Sequence, residues 1–252
     1  MIQLKTPQEI EIMKEGGEIL SEILKKLSEE VKPGIMTWSL EEKARQMIKE
    51  AGAEPAFLGF RGYPASLCIS INEEIVHCLP SERKIIAGDI VGLDLGIKYR
   101  GFNVDSAVTV LAEPEKDSQE LGLKKRLLKI TAECLSEGIE MAKVGSTIGD
   151  ISSAIQNHAE KNGFSVIRDL VGHGIGRELH EEPEVPNFGN AGKGPRLEEG
   201  MTIAIEPMLT SGRPEVKENK KTLAWETVDG SLAAHFEHTV AITKNGPLVL
   251  TK

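Results

Sequence analysis

Apolar positions recur at helical spacing near the start of this chain. Ile10, Met13, Ile19, Ile23, Leu24 and Leu27 fall on one helical face. Thr6-Pro7-Gln8-Glu9 reads as the start of that helix. Thr caps it, Pro occupies the first turn, and Glu three residues on completes a capping box. The helix is predicted to run to Val31, with Pro33-Gly34 ending it. Thr37 opens a second helix, closed by Gly52. The pattern then becomes strand-like over 66–71, 90–98 and 102–111. A third helix is predicted over 118–142, and Thr147 with Asp150 caps a fourth that stops at Gly163. Strand-like segments follow near 166–171, 201–209, 222–228 and 234–243, with 210–221 as a polar surface loop. No low-complexity segment or long linker divides the chain, so residues 1–252 are expected to form one α/β (α+β) domain.

The pattern repeats faintly. Gly34 and Gly145, and Gly52 and Gly163, are each 111 positions apart; Gly34 and Gly52 bracket the helix opened by Thr37, and Gly145 and Gly163 the one opened by Thr147. Further on, Gly88-Asp89-Ile90-Val91-Gly92-Leu93-Asp94 parallels Gly200-Met201-Thr202-Ile203-Ala204-Ile205-Glu206. That alignment sets Asp94 on Glu206. Two similar halves, about 1–115 and 116–252, would place a site on their pseudo-two-fold axis.

Composition narrows the classes. The chain is 40% hydrophobic and 27% charged over 252 residues, enough to bury a sizeable core. A net charge of −9 advertises no nucleic-acid surface. No apolar run has the length of a signal peptide or of the ~18 residues that span a membrane. Three cysteines without a CxxC pair point to a reducing cytoplasm rather than a disulfide framework.

The informative residues are charges in apolar settings. Asp94 lies mid-strand between Leu93 and Leu95, and Glu206 follows five largely apolar residues and precedes Pro207. Buried carboxylates pair or coordinate metal. Asp94 and Asp105 flank a hairpin whose turn, centred between Tyr99 and Arg100, would set them directly opposite with Cβ atoms ~5 Å apart. Taken alone, Asp105 could equally be a hairpin-end residue binding backbone amides. His173 sits in Gly172-His173-Gly174-Ile175-Gly176, where glycines let a ligand approach. Such a loop could also cradle phosphate, but no Lys-Ser/Thr follows it. His180 reads as a second candidate or as a solvated histidine beside Glu181 and Glu182. His77 ends a short strand and could simply pack on a loop. Glu237 shares a strand face with His235 and Thr239. Asp94, Asp105, Glu206 and Glu237 together carry charge −4, which balances two divalent cations able to activate water.

The order of these motifs closely resembles the type I methionine aminopeptidases, M24 metallopeptidases of the pita-bread fold. The likeness rests on Cys68-Ile69-Ser70-Ile71-Asn72-Glu73 with His77, on Asp94 and Asp105, and on Gly172 to Gly176 with His180-Glu181-Glu182-Pro183. Gly200 to Met208 around Glu206, and Glu237-His238-Thr239, complete it. The resemblance implies a central curved antiparallel sheet covered by helices. It implies that Asp94, Asp105, His173, Glu206 and Glu237 bind a dinuclear centre of Mn, Fe, Co or Zn, with Asp105 and Glu237 bridging. A bridging water or hydroxide would then attack, with Glu206 as proton shuttle and His77 and His180 contacting the substrate. Phe60, Tyr63, Cys68, His77 and Trp225 would form the methionine pocket. The implied role is removal of the initiator methionine from nascent chains, with transient docking at the ribosome; a monomer is expected because nothing in the sequence marks an interface. Departures from the family pattern are Cys78-Leu79 after His77, Asn103-Val104 before Asp105, and Leu179 beside His180. Two other readings are an Xaa-Pro peptidase and a binding module that has lost catalysis. The first normally adds a large N-terminal domain, and a first predicted strand as early as 66 argues against that reading. The second normally shows replaced ligands.

Overall fold

The computed structural model describes residues 2–113 and 119–252. Helix α1 spans Pro7–Glu29, with the Thr6–Glu9 capping box formed as predicted. Helix α2 spans Thr37–Glu50. Helix α3, Gln119–Met141, starts one residue inside its predicted limit, since residue 118 lies outside the described residues. Helix α4, Ile148–Lys161, carries the Thr147–Asp150 capping box.

The strands are β1 (Glu54–Pro55), β2 (Leu67–Ile71), β3 (Glu74–Val76), β4 (Ile90–Tyr99) and β5 (Phe102–Leu111). After α4 come β6 (Ser165–Val166), β7 (Val171–Gly174), β8 (Glu181–Pro186), β9 (Thr202–Ile205) and β10 (Met208–Thr210). The last five are β11 (Val216–Glu218), β12 (Trp225–Thr227), β13 (Ala233–His235), β14 (Glu237–Thr243) and β15 (Gly246–Val249). A nine-stranded sheet runs β1-β4-β5-β14-β9-β7-β8, with β2 on β4 and β15 on β14. Its named pairings are antiparallel. Helices α1 and α2 pack on β2, β4 and β5 through Leu20, Leu24, Leu40, Ile69 and Leu93. Helix α3 packs on β9 and β14 through Leu127, Leu135, Ile203 and Val240, and α4 packs on α3, β6 and β8.

Equivalent hydrogen bonds recur at the repeat spacing. Gly34 N–H donates to the Ile85 carbonyl at 2.8 Å, and Gly145 N–H donates to Leu197 at 2.9 Å. Isolated bridges join Met36 to Lys84 and Thr147 to Arg196. The predicted boundary between halves, at 115/116, lies outside the described residues.

The structure corrects three expectations. The β4–β5 turn is Arg100-Gly101, with φ of 46° and 87°, not Tyr99-Arg100. A two-residue hairpin turn of this hand needs positive φ at both positions, and Gly101 accepts it without a steric penalty. Asp94 therefore pairs with Ala107 and Asp105 with Gly96, which makes the two carboxylates diagonal neighbours. A shift of two residues keeps both on one face. Segments 166–171, 201–209 and 234–243 are each broken in two. A second sheet, β13-β10-β6, takes one piece of each, while β14, β9 and β7 stay in the large sheet. Pro207 explains the middle break, because it has no N–H to donate and holds Glu206 extended. Finally, the expected loop at 210–221 contains β11, paired with β12.

One buried carboxylate ties α2 to the first wall of the sheet. Glu41, fully buried, accepts from the backbone N–H groups of Ser66 and Leu67 at 2.9 and 2.8 Å and pairs with Arg45. Glu41→Ala leaves two buried donors without partners and is expected to cost about 3 kcal/mol. A urea midpoint unchanged from the parent protein would contradict this role.

Candidate active site

Glu206 and Glu237 sit where neighbouring strands cross between sheets. Ile205 pairs with His238 in the large sheet, and Met208 pairs with His235 in the small one. Glu206 lies at one corner and Phe236-Glu237 at the other, joined by Phe236 N–H to the Pro207 carbonyl at 3.3 Å. A strand that changes sheets stops alternating, which aims both carboxylates inward. Asp105 reaches the same space from β5. Its N–H donates to the Thr239 hydroxyl at 2.9 Å, and that hydroxyl donates back to the Asp105 carbonyl at 2.8 Å. Asp94 comes from β4, beside Cys68 of β2.

His173 closes the group from β7. Its Nδ1 lies 2.8 Å from the Gly174 carbonyl. That bond fixes the tautomer with the proton on Nδ1 and leaves the Nε2 lone pair free. Nε2 lies 3.8 Å from Glu206 Oε1. Donor atoms of Asp105, His173 and Glu237 all fall within 4.8 Å of one another.

All of the sequence-derived candidates line one cavity of about 930 Å³. The carboxylates and His173 lie together, while Phe60, Tyr63, Cys68, His77, His180 and Trp225 form other parts of the wall. The His180 ring stands 4.0 Å from that of His173 and edge-on to Phe60 at 5.0 Å. The Tyr63 hydroxyl lies 3.2 and 3.1 Å from the carbonyls of Leu67 and Cys78. Three non-glycine residues on this wall hold positive φ: Arg61, His77 and Leu223. Such conformations are costly and concentrate where a side chain must be aimed.

His235 is the residue that sequence reasoning left unweighted. It is buried, and its Nε2 lies 3.4 Å from Glu206 Oε2. Its signal was the strand face it shares with Glu237. The departures from the family pattern fall at the edges. Asn103 is buried away from the cavity and donates from Nδ2 to the carbonyls of Gly176 and Arg177, both at 3.0 Å. Leu179 lines the wall, and Cys78 is buried.

Burial sets the electrostatics. It raises Glu206 to about 7, against a smaller lowering by His173. It raises Asp105 to about 8, with Glu206 adding to the rise. Asp94 and Glu237 are pushed well above the carboxylate range by burial first and by neighbouring carboxylates second. Burial depresses His235 to about 3. His180 is also held near 3, by the walls around it and then by His173, despite its open edge. Asp94 Oδ1, Asp105 Oδ1 and Glu237 Oε1 are buried with no hydrogen-bond partner among the described residues. Shielded carboxylate oxygens facing one another need cations, and oxygen donors with one imidazole suit divalent metals. The donor set therefore fits such ions.

The Metallopeptidase family M24 model matches residues 11–244. The chain belongs to metallopeptidase family M24. This M24 chain is 47% identical over 251 residues to a methionine aminopeptidase of Clostridium perfringens, covering 100% of the chain and 99% of that protein. A solved methionine aminopeptidase from Thermotoga maritima superposes with a TM-score of 0.95 at 44% identity, covering all of both chains. A prolidase from Pyrococcus furiosus gives a TM-score of 0.77 at 27% identity, covering 99% of this chain and 65% of that one. The M24 neighbours share the pita-bread fold, and membership of a metallopeptidase family implies use of a divalent metal.

The raised carboxylates make a pH prediction for the chelator-stripped protein. The folded state keeps protons that the unfolded carboxylates release near pH 4, so stability falls as pH rises through the folded values. The urea midpoint is expected to drop from about pH 7 to about pH 8.5. Divalent metal should restore it at the upper end. Equal midpoints without metal would show that the cluster is not buried as described.

Proposed function

We propose that this protein is a methionine aminopeptidase, a hydrolase that removes the initiator methionine from newly made chains. The observation that carries the reading is the convergence of four carboxylates and one imidazole on one cavity, with three carboxylate oxygens unpartnered. Asp94, Asp105, His173, Glu206 and Glu237 would hold two divalent ions, whose charge offsets the four carboxylates. Asp105 and Glu237, whose donor atoms lie within 4.8 Å of each other and of His173, would both be among the residues holding the ions. Mn, Fe, Co and Zn all suit these donors. When bound, the ions would polarise the scissile carbonyl and ease deprotonation of water.

The chain's own groups supply the rest. Glu206, raised to about 7, can take a proton and return it near neutral pH. The His173 and His235 rings flank its two oxygens, with Nε2 atoms at 3.8 and 3.4 Å. His77 and His180, both depressed, are neutral at that pH and can donate a hydrogen bond to a peptide without adding charge. Phe60, Tyr63, Cys68, His77 and Trp225 surround the methionine side chain, and apolar, aromatic and sulfur groups suit a flexible thioether. Tyr63 turns its hydroxyl toward backbone carbonyls, which leaves its ring as the wall.

The wider reading is one domain over 1–252, built of halves about 1–115 and 116–252, each giving an equivalent carboxylate in Asp94 or Glu206. The substrate is the N-terminal methionine of nascent polypeptides. A cytoplasmic monomer that docks transiently at the ribosome, without specific nucleic-acid or membrane binding, completes the proposal. Among the described residues no helix is long and apolar enough to cross a membrane.

The test is methionine release from a Met-Ala-Ser peptide by chelator-stripped protein, with Mn²⁺, Co²⁺ or Fe²⁺ added back. Release is expected only with metal. Glu206→Gln should lower kcat by about 10²–10⁴ while the fold is kept, and Asp94→Ala should abolish turnover. Release by metal-free protein would sink the reading. Cleavage of Ala-Pro in preference to Met-Ala would assign the chain to the prolidase branch instead.

A further inference from the structure

His180 sits on a loop that the N-terminal segment reaches around to hold. Residues 2–6 belong to no helix or strand. Lys5 N–H donates to the Gly200 carbonyl at 2.7 Å, which docks the segment just before β9. The Lys5 side chain then turns inward. Its ammonium donates to the Gln3 carbonyl at 3.1 Å and pairs with Glu181. The two side chains are 4% and 5% exposed, so the pair is sealed from water.

Glu181 directly follows His180. Its other oxygen accepts from the Glu178 N–H at 3.2 Å, which closes the loop on itself. Gly176 provides the space underneath: a Cβ there would meet Lys5 Cε at 2.2 Å and Nζ at 2.7 Å. On the far side Asn103 clamps the carbonyls of Gly176 and Arg177. Arg177 pairs at 2.6 Å with Glu9, the acid of the α1 capping box. The loop is thus held at both ends by residues near the start of the chain. Neither Lys5 nor Glu181 has a part in the chemistry assigned above.

We infer that Lys5 is a positioning residue: by pairing with Glu181 over Gly176 it holds the 176–181 loop so that the His180 ring stands against His173 and Phe60 at the cavity mouth. The inference rests on the reading of His180 as a substrate contact. A sealed ion pair is a poor source of net stability, since desolvation offsets its attraction. It is a good means of fixing one geometry, because neither partner has another place to go. A displaced reacting group costs rate steeply.

The test uses the full chain with metal added back and Met-Ala-Ser as probe. Lys5→Met alone would strand a buried carboxylate, so the working variant is Lys5→Met with Glu181→Gln, which removes both charges. It is expected to keep its metal content and to lose about tenfold in kcat/KM, mostly in kcat. In a His180→Ala background the same pair should add no further loss, because residues acting through one another are not additive. Hydrogen exchange over residues 174–182 should rise in the double variant while exchange in α3 stays the same. Unchanged exchange over 174–182, or a full additional loss in the His180→Ala background, would overturn the inference. If the parent protein releases no methionine yet exchange over 174–182 still rises, the aminopeptidase reading fails and the Lys5 tether stands.

Discussion

Four carboxylates facing one another in a space shielded from water are the constraint on which the rest of the structure depends. Burial raises them all, and neighbouring carboxylates raise Asp94, Asp105 and Glu237 further. No rearrangement within the site relieves this, because three of the oxygens find no donor among the described residues. The fold must therefore be rigid enough around the site to keep four acids together, holding protons until cations replace them. The walls show how this is done. Asp105 is locked to β14 by reciprocal hydrogen bonds with Thr239, and His173 is locked by its own loop carbonyl.

The change of sheet is the second device. Three segments cross between the small sheet and the large one, and two of the crossings deliver Glu206 and Glu237. An uninterrupted strand would have projected every second side chain along a row. A corner instead gathers side chains from neighbouring strands toward a point, and the hairpin then supplies Asp94 and Asp105 from the side.

The sequence made the helices plain, because their caps are chemical: Thr6 with Glu9 and Thr147 with Asp150 formed as expected. Each of the five central residues was legible as a charge or imidazole in an apolar or glycine-flanked setting, and all five line the same cavity. The hairpin register was misread by two because Arg100 takes a positive φ, a conformation few arginines adopt. Corners were illegible for a different reason. Segments 201–209 and 234–243 read as single apolar runs, and nothing local says that one run will serve two sheets. Pro207 was the one available sign. His235 was hidden by the same effect, since its neighbour Glu206 lies 29 positions earlier and only the second sheet brings them together. The tether through Lys5 depends on contacts across 176 positions, beyond the reach of any periodicity.

The order of strands has a consequence for how the chain is made. Strand β14, at residues 237–243, lies between β5 and β9 and is the seam of the large sheet. Until it leaves the ribosome, the hairpin half and the later half each present an open edge, and no carboxylate of one half can meet those of the other. Pairings this distant in sequence close slowly and late. The cavity thus waits on β14, which also carries Glu237. A protein proposed to act on the first residue of other emerging chains cannot assemble its own site until residues 237–243 have been added.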